Sequence, residues 1–235
     1  MNSAPPHARS GALRRLEAIA ALDDLSITAL NRAIDEASVL SARRELMIEG
    51  QEIVGKRLIV SGWAARARLL ADGRRQLISF LIPGDLIGNC GHKRPLAVST
   101  VLALTAVSSA DLTHCQTHAL KEAYEVSRAI EEAHLLAQIT RLGRLSALER
   151  LADLFLELYE RLALAGLAAD GRFALPLTQE IVADALGLTS VHLSRTLQLA
   201  RRRGEFEWRD GRVVLHDIAQ LERMVGRQPV RVSML

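Results

Sequence analysis

The 235-residue chain has only two cysteines, Cys90 and Cys115, separated by 24 residues. Two thiols so placed cannot form a disulfide scaffold, and they fall short of the four thiolates an iron–sulfur cluster takes from one subunit. No stretch approaches the roughly 18 consecutive apolar residues of a membrane span. The opening MNSAPPHARSGALRR lacks the apolar core of a secretory signal and reads as a disordered lead-in. A cytoplasmic location without a membrane partner is therefore expected. Catalytic signatures are missing too. There is no G-x-S-x-G, H-E-x-x-H or P-loop, and the acidic residues are scattered without paired spacing. Neither an enzyme nor a metal site is expected.

What is present is globular. Hydrophobic residues at 49% and charged residues at 24% can build a real core, and the length suits one large domain or two modest ones. The net charge of +3 is unevenly spread. From Gly171 to Leu235 there are ten arginines and no lysine against seven Asp and Glu, so this segment carries the whole excess. Between Arg195 and Arg212 the count is six basic to three acidic. A local excess is what a DNA footprint requires, although a solvated charged face shares that composition.

The patterning changes three times along the chain. Residues 12 to 37 read as short helices, with Leu13, Leu16 and Ile19 at three-residue steps and a second segment from Leu25 to Ile34. From Leu46 to Leu112, short runs rich in Val, Ile and Leu are broken by glycine, as a small β barrel or roll requires. ADGRR at 71–75 predicts a hairpin, and Pro83-Gly84-Asp85 a turn. From His118 to about Ala165 the pattern is helical. Leu120, Tyr124, Ser127, Ile130, His134 and Ala137, widened by Val126, Ala133 and Leu136, form a stripe that could seam two copies together or pack on the roll. A second, leucine-rich helix follows, and AADGRFALP reads as a loop.

The last unit is the most specific. In LTQEIVADALGLTSVHLSRTLQLARRRG, Thr178 can cap one helix, Gly187 can end it, and Thr189 or Ser190 can cap the next. Helix, short glycine turn, helix is the helix-turn-helix pattern, whose second helix enters the major groove. In EFEWRDGRVVLHD, Asp210-Gly211 joins two strands into a wing whose Arg209 and Arg212 suit phosphates. The plainer alternative is a helical packing domain with a hairpin.

These stretches, with SGWAARARLLADGRRQLISFLIPGDLIG and RLGRLSALERLADLFLELY, resemble the Crp/Fnr-type bacterial transcription regulators over nearly the whole chain after residue 12. The resemblance implies an α+β architecture: an N-terminal β-roll sensor at 12–117, a dimerisation helix at 118–142 and a C-terminal winged helix-turn-helix at 143–235. It implies a homodimer on a roughly palindromic operator, with double-stranded DNA as partner and RNA polymerase as a further candidate. Base contacts then fall on Ser190, Val191, Ser194 and Arg195. Arginine can bond guanine O6 and N7 together, and Val191 could meet a thymine methyl. Thr189, His192, Arg201, Arg202, Arg209 and Arg212 are the phosphate candidates. The Arg201–Arg203 run also reads as a solvated helix end facing the helix dipole.

The sensor departs from the cyclic-nucleotide pattern. Asn89 stands where such relatives carry glutamate and Ala97 where they carry arginine, with Arg94 a few residues early. Cyclic nucleotide and iron–sulfur cluster are disfavoured, leaving haem or no ligand. Cys90, His92 and Cys115 are the redox or effector candidates, with His114 and His118 as further haem ligands, though no spacing makes them specific. MIEGQEIVGKRLIVSGW looks short for the family, which would narrow or remove the pocket. The competing function is a ligand-binding signalling module whose C-terminal domain contacts protein.

Overall fold

The computed structural model describes residues 6–71, 73, 75–88, 93–230 and 232. Helices α1 (Pro6–Ile19) and α2 (Asp24–Asp35) open the chain. From Pro6 on, the first of these corrects the expectation of a disordered lead-in, whose residues 1–5 lie outside the described residues. Pro6 is well suited to a first helical turn, and Ala12 and Leu16 are fully buried, so α1 is held by packing. Asp23 caps α2 by accepting from the Ser26 amide.

Among the described residues, the β unit is a roll of eight strands: β1 (Ser38–Leu40), β2 (Glu45–Met47), β3 (Arg57–Ser61), β4 (Ala64–Leu69), β5 (Arg75–Leu81), β6 (Leu86–Ile87), β7 (Thr100–Ala103) and β8 (Val107–Asp111). They form two antiparallel sheets in the orders β1-β8-β3-β6 and β2-β7-β4-β5. Strand alternation sorts the apolar side chains into layers. Ile59, Leu81, Ile87, Val101 and Val107 fill the space between the sheets. Leu58 and Val60 point outward from the first sheet and pack under α1 and α2. Ala65, Ala67, Leu77 and Phe80 point outward from the second and join the core of the C-terminal half. The expected β4–β5 hairpin closes between Leu69 and Arg75, although Asp72 at its tip lies outside the described residues.

Two long helices follow. Helix α3 (His118–Arg144) is capped by Thr117, and α4 (Ala147–Leu164) starts at a reciprocal box in which Ser146 and Glu149 bond each other's backbone amides. AADGRFALP, expected as a loop, instead contains strands β9 (Ala168–Ala169) and β10 (Arg172–Ala174). Asp170 and Gly171 both take positive φ, 50° and 71°, so the chain reverses there. Phe173 is then buried edge-on against Phe155 of α4. The unit closes with α5 (Gln179–Leu186), α6 (Ser190–Arg202), β11 (Phe206–Arg209), β12 (Arg212–Leu215) and α7 (Ile218–Val225), and its sheet runs β11-β12-β10-β9.

Where roll, long helices and C-terminal segment meet, buried charges alternate in sign. Arg15 donates to Asp85 at 2.7 Å, and Arg161 reaches Asp85 at 2.6 Å and Glu157 at 2.9 Å. Arg141 reaches Glu157 at 2.6 Å and Asp153 at 2.7 Å. Arg227 reaches Asp153 at 2.9 Å and Glu160 at 2.8 Å. The chain of pairs thus runs from α1 through the Pro83-Gly84-Asp85 turn to α4, α3 and the segment after α7. Burial drives the Asp85 and Glu157 carboxyls upward, but the flanking guanidinium groups outweigh it and hold both below the usual carboxylate range.

Candidate DNA-binding interface

Thr178 caps α5, its hydroxyl accepting from the Ile181 amide. The helix ends at Gly187 in the left-handed region (φ 63°), where a side chain would be strained. Of the two candidates for the next cap, Thr189 takes the role: its hydroxyl accepts from the His192 amide at 3.2 Å. The Thr189 proton stays free to donate elsewhere. Val182, Ala183, Ala185 and Leu186 bury one face of α5, and Leu193, Thr196, Leu197 and Ala200 one face of α6. What α6 leaves outside is polar and basic.

Ser190, Val191, His192, Arg195, Gln198, Arg201 and Arg202 are all exposed, and Ser194 is half-buried. The exposure of Val191, 62% on a branched apolar side chain, is unusual in a helix whose other apolar residues are mostly covered. Gln198 was missed in the sequence, yet it lies three positions beyond Arg195 and seven beyond Val191, which is the spacing of a single helical face.

The wing turns through Asp210 and Gly211, both at positive φ (50° and 70°), as a two-residue hairpin requires. Phe206 packs edge-on to Phe155 at 5.4 Å and so fastens the wing to α4. Arg209 and Arg212 face each other across the tip and are exposed. Among the described residues, Arg195, Arg201, Arg202 and Arg212 make no ion pair; Arg203 and Arg209 have only distant ones, at 3.8 and 4.0 Å.

The stripe expected to seam two copies lies largely inside the protomer. Leu120, Tyr124 and His134 are buried, and Ser127, Ile130 and Ala137 are half-buried. Leu120 and Tyr124 belong to the core beneath α1 and α2, while His134 faces Glu157 at 3.9 Å. Another line is open instead: Ala129, Glu132, Leu136, Ile139 and Gly143, in alternating steps of three and four, with Leu136 59% and Ile139 68% exposed.

The sensor side is not closed off by the short turn. An open cavity of about 830 Å³ lies between the roll and α3, walled by Arg66, Arg68, Ile78, Val98, Tyr124 and Ser127 among others. Its cations, Arg66, Arg68 and Arg128, were not foreseen, although the alternation in AARARL places the first two on one strand face. Arg66 pairs with Glu131 of α3, and Arg68 lies 3.4 Å from Glu49. Ala97 lines the cavity, but Arg94 does not; it is exposed and paired with Glu52 at 3.2 Å. Cys115 is half-buried, and burial followed by the Asp111 charge pushes its thiol upward, away from a reactive thiolate. His114 and His118 are exposed, and the described residues contain no group of three or more His, Cys, Asp or Glu able to hold a metal. Cys90, His92 and Asn89 lie outside the described residues. No described helix is long and apolar enough to cross a membrane.

A helix-turn-helix with an arginine-rich outer face, a basic wing and a β roll defines a DNA-binding regulator. Known proteins agree. Residues 149–224 match the Crp-like helix-turn-helix domain. The nitrogen fixation regulation protein FixK of Azorhizobium caulinodans is 32% identical over 206 residues, 82% of this chain and 80% of that one. FixK of Bradyrhizobium diazoefficiens is 32% identical over 175 residues, 72% of this chain and 73% of that one. Among solved structures, FixK2 from Bradyrhizobium japonicum superposes with a TM-score of 0.68 at 25% identity, covering 82% of this chain and 99% of that one. A CRP-family regulator from Thermus thermophilus shares the fold (TM-score 0.65, 22% identity, 81% and 97% covered). The chain belongs to the Crp/Fnr family of transcriptional regulators.

Proposed function

We propose that this regulator binds DNA sequence-specifically as a homodimer on a roughly palindromic operator. The observation that carries the reading is the outer face of α6, where Val191, Arg195 and Gln198 stand exposed with no partner among the described residues. Arg195 reads a guanine through O6 and N7, Val191 meets a thymine methyl, and Gln198 suits an adenine. Ser190 and Ser194 contribute edge contacts. Thr189, His192, Arg201, Arg202, Arg209 and Arg212 hold phosphates, which fixes register without reading sequence.

The two copies join along α3 through Ala129, Leu136 and Ile139. This seam is supported by its exposure and by its three-and-four spacing; the stripe read from the sequence is mostly occupied within its own protomer. Leu136→Glu combined with Ile139→Glu is expected to give a folded monomer by sedimentation, and an unchanged dimer would overturn the seam. The roll is read as something other than a cyclic-nucleotide sensor, because Ala97 offers no charge to a phosphate and Arg94 is turned outward to Glu52.

Selecting duplexes from a random library with the purified protein, and titrating the winner at several salt concentrations, tests the whole reading. A palindromic winner whose binding weakens steeply with salt is expected. Failure to select any sequence, both as purified and when isolated gently enough to retain a bound effector, would sink it.

A further inference from the structure

The last turn of α5 leaves carbonyls that its own helix cannot satisfy. Locally, only the Ala183 carbonyl is covered, by the Gly187 and Leu188 amides. The next three are each taken by a different distant element. Gln76 of β5 donates its side-chain amide to the Asp184 carbonyl at 3.0 Å and more loosely to that of Ala185 at 3.4 Å. Gln138 of α3 donates to the Ala185 carbonyl at 2.7 Å. Arg150 of α4 donates to the Leu186 carbonyl at 3.1 Å. Beside them Arg75 Nε donates to Asp184 Oδ2 at 2.6 Å.

Two of these side chains, Arg75 and Gln76, are consecutive residues of the sensor roll. They hold the first helix of the helix-turn-helix at the end where the chain turns into α6. Gln76 also lies directly across the strand pair from Arg68, a wall of the cavity between roll and α3. The roll therefore grips the reading head directly as well as through α3 and α4.

We infer that Arg75 and Gln76 are positioning residues for DNA binding: they clamp the end of α5 and so hold α6 in one orientation before DNA arrives. This rests on the DNA-binding reading above. The clamped orientation is a competent one, because α6 keeps its polar face uncovered while α5 is gripped. If release of the clamp lets the head wander so that about a tenth of molecules stay aligned, operator affinity falls about tenfold. Binding to unrelated DNA, which needs only phosphate contacts, is unaffected.

The test uses the full-length protein with Arg75→Ala, the pair Arg75→Ala/Gln76→Ala, and the charge exchange Arg75→Asp/Asp184→Arg. Two readouts are taken: affinity for the selected operator and for a scrambled duplex, and amide hydrogen exchange over residues 179–203 without DNA. Faster exchange in α5, an operator affinity lowered about tenfold by the double alanine variant, unchanged scrambled binding and recovery by the exchange are expected. Unchanged exchange and affinity would overturn the clamp. Tighter operator binding would overturn it as well, since the gripped orientation would then be the inactive one. If the unaltered protein selects no operator, the DNA-binding reading has failed by itself. Hydrogen exchange and its recovery in the charge exchange then decide the clamp independently.

Discussion

Arginine does two different jobs at the two ends of the C-terminal half. At the junction, the side chains of Arg15, Arg141, Arg161 and Arg227 are buried, and each donates to one or two carboxylates between 2.6 and 2.9 Å. On α6 and the wing, Arg195, Arg201, Arg202 and Arg212 are exposed and make no ion pair among the described residues. A guanidinium taken out of water must be repaid by fixed carboxylates, so the junction arginines are structural. One left in water with no partner costs little, and it remains available to a phosphate or a base edge. The same side chain is thus a fastener in one place and, in the proposed DNA-binding role, a reading or gripping group in the other, and its neighbours decide which.

The sharpest way to break that contrast is to remove one member of each population. Arg141→Leu leaves Asp153 and Glu157 short of a buried partner. It should cost about 3–5 kcal/mol of unfolding free energy in urea. Arg202→Ala should stay within about 0.5 kcal/mol of the unaltered protein. Equal effects would erase the distinction.

Acid should act on the junction and leave the exposed arginines charged. His134 is buried there, and burial, reinforced by the Arg161 charge, presses its pKa from 6.5 to about 4. The unfolded chain takes up that proton near pH 6.5 and the folded chain only near 4. Stability is therefore whole above pH 6.5 and falls as the pH drops to 4, by at most about 3 kcal/mol. Glu157 is held well below its ordinary 4.5, so its contribution is present above pH 4.5 and drains away below it. Urea midpoints measured between pH 7 and 4 should show the first decline, and His134→Gln should flatten it. A decline that survives this substitution would move its origin elsewhere.

The exposed population can be divided further. Arg195→Ala should lose about 1–3 kcal/mol of discrimination at one symmetric base pair, read by competition with singly substituted operators. Arg202→Ala should weaken all duplexes alike and reduce the salt slope by about 0.9 for each phosphate no longer neutralised. Should Arg195→Ala behave like Arg202→Ala, the assignment of Arg195 to a base would fail.

Much of the reading head was legible because its signals are local. Caps, a left-handed glycine and an Asp-Gly hairpin act over three or four residues, and Thr178, Gly187 and Gly211 fall where those signals put them. The same Asp-Gly signal at 170–171 reads more naturally as a loop, because the strands it joins are only two and three residues long. Which face of α3 stays open was not legible, for a different reason. Both of its sides carry spaced apolar residues, and period alone cannot say which side meets α1, β5 and α4 and which is left open.

By itself, then, the sequence determined the succession of short helices, β unit and long helices, the helix-turn-helix with its wing, and the sign of the charge that the wing and α6 present. Each of these follows from spacing along the chain and from short-range backbone preferences. Only the tertiary structure decided which arginines are fasteners, which side of α3 stays open, and that Arg75 and Gln76 of the roll reach α5, more than a hundred residues further along. Those choices depend on which surfaces meet in three dimensions, where burial makes a charge demand a partner and a helix end accept a donor from a distant strand.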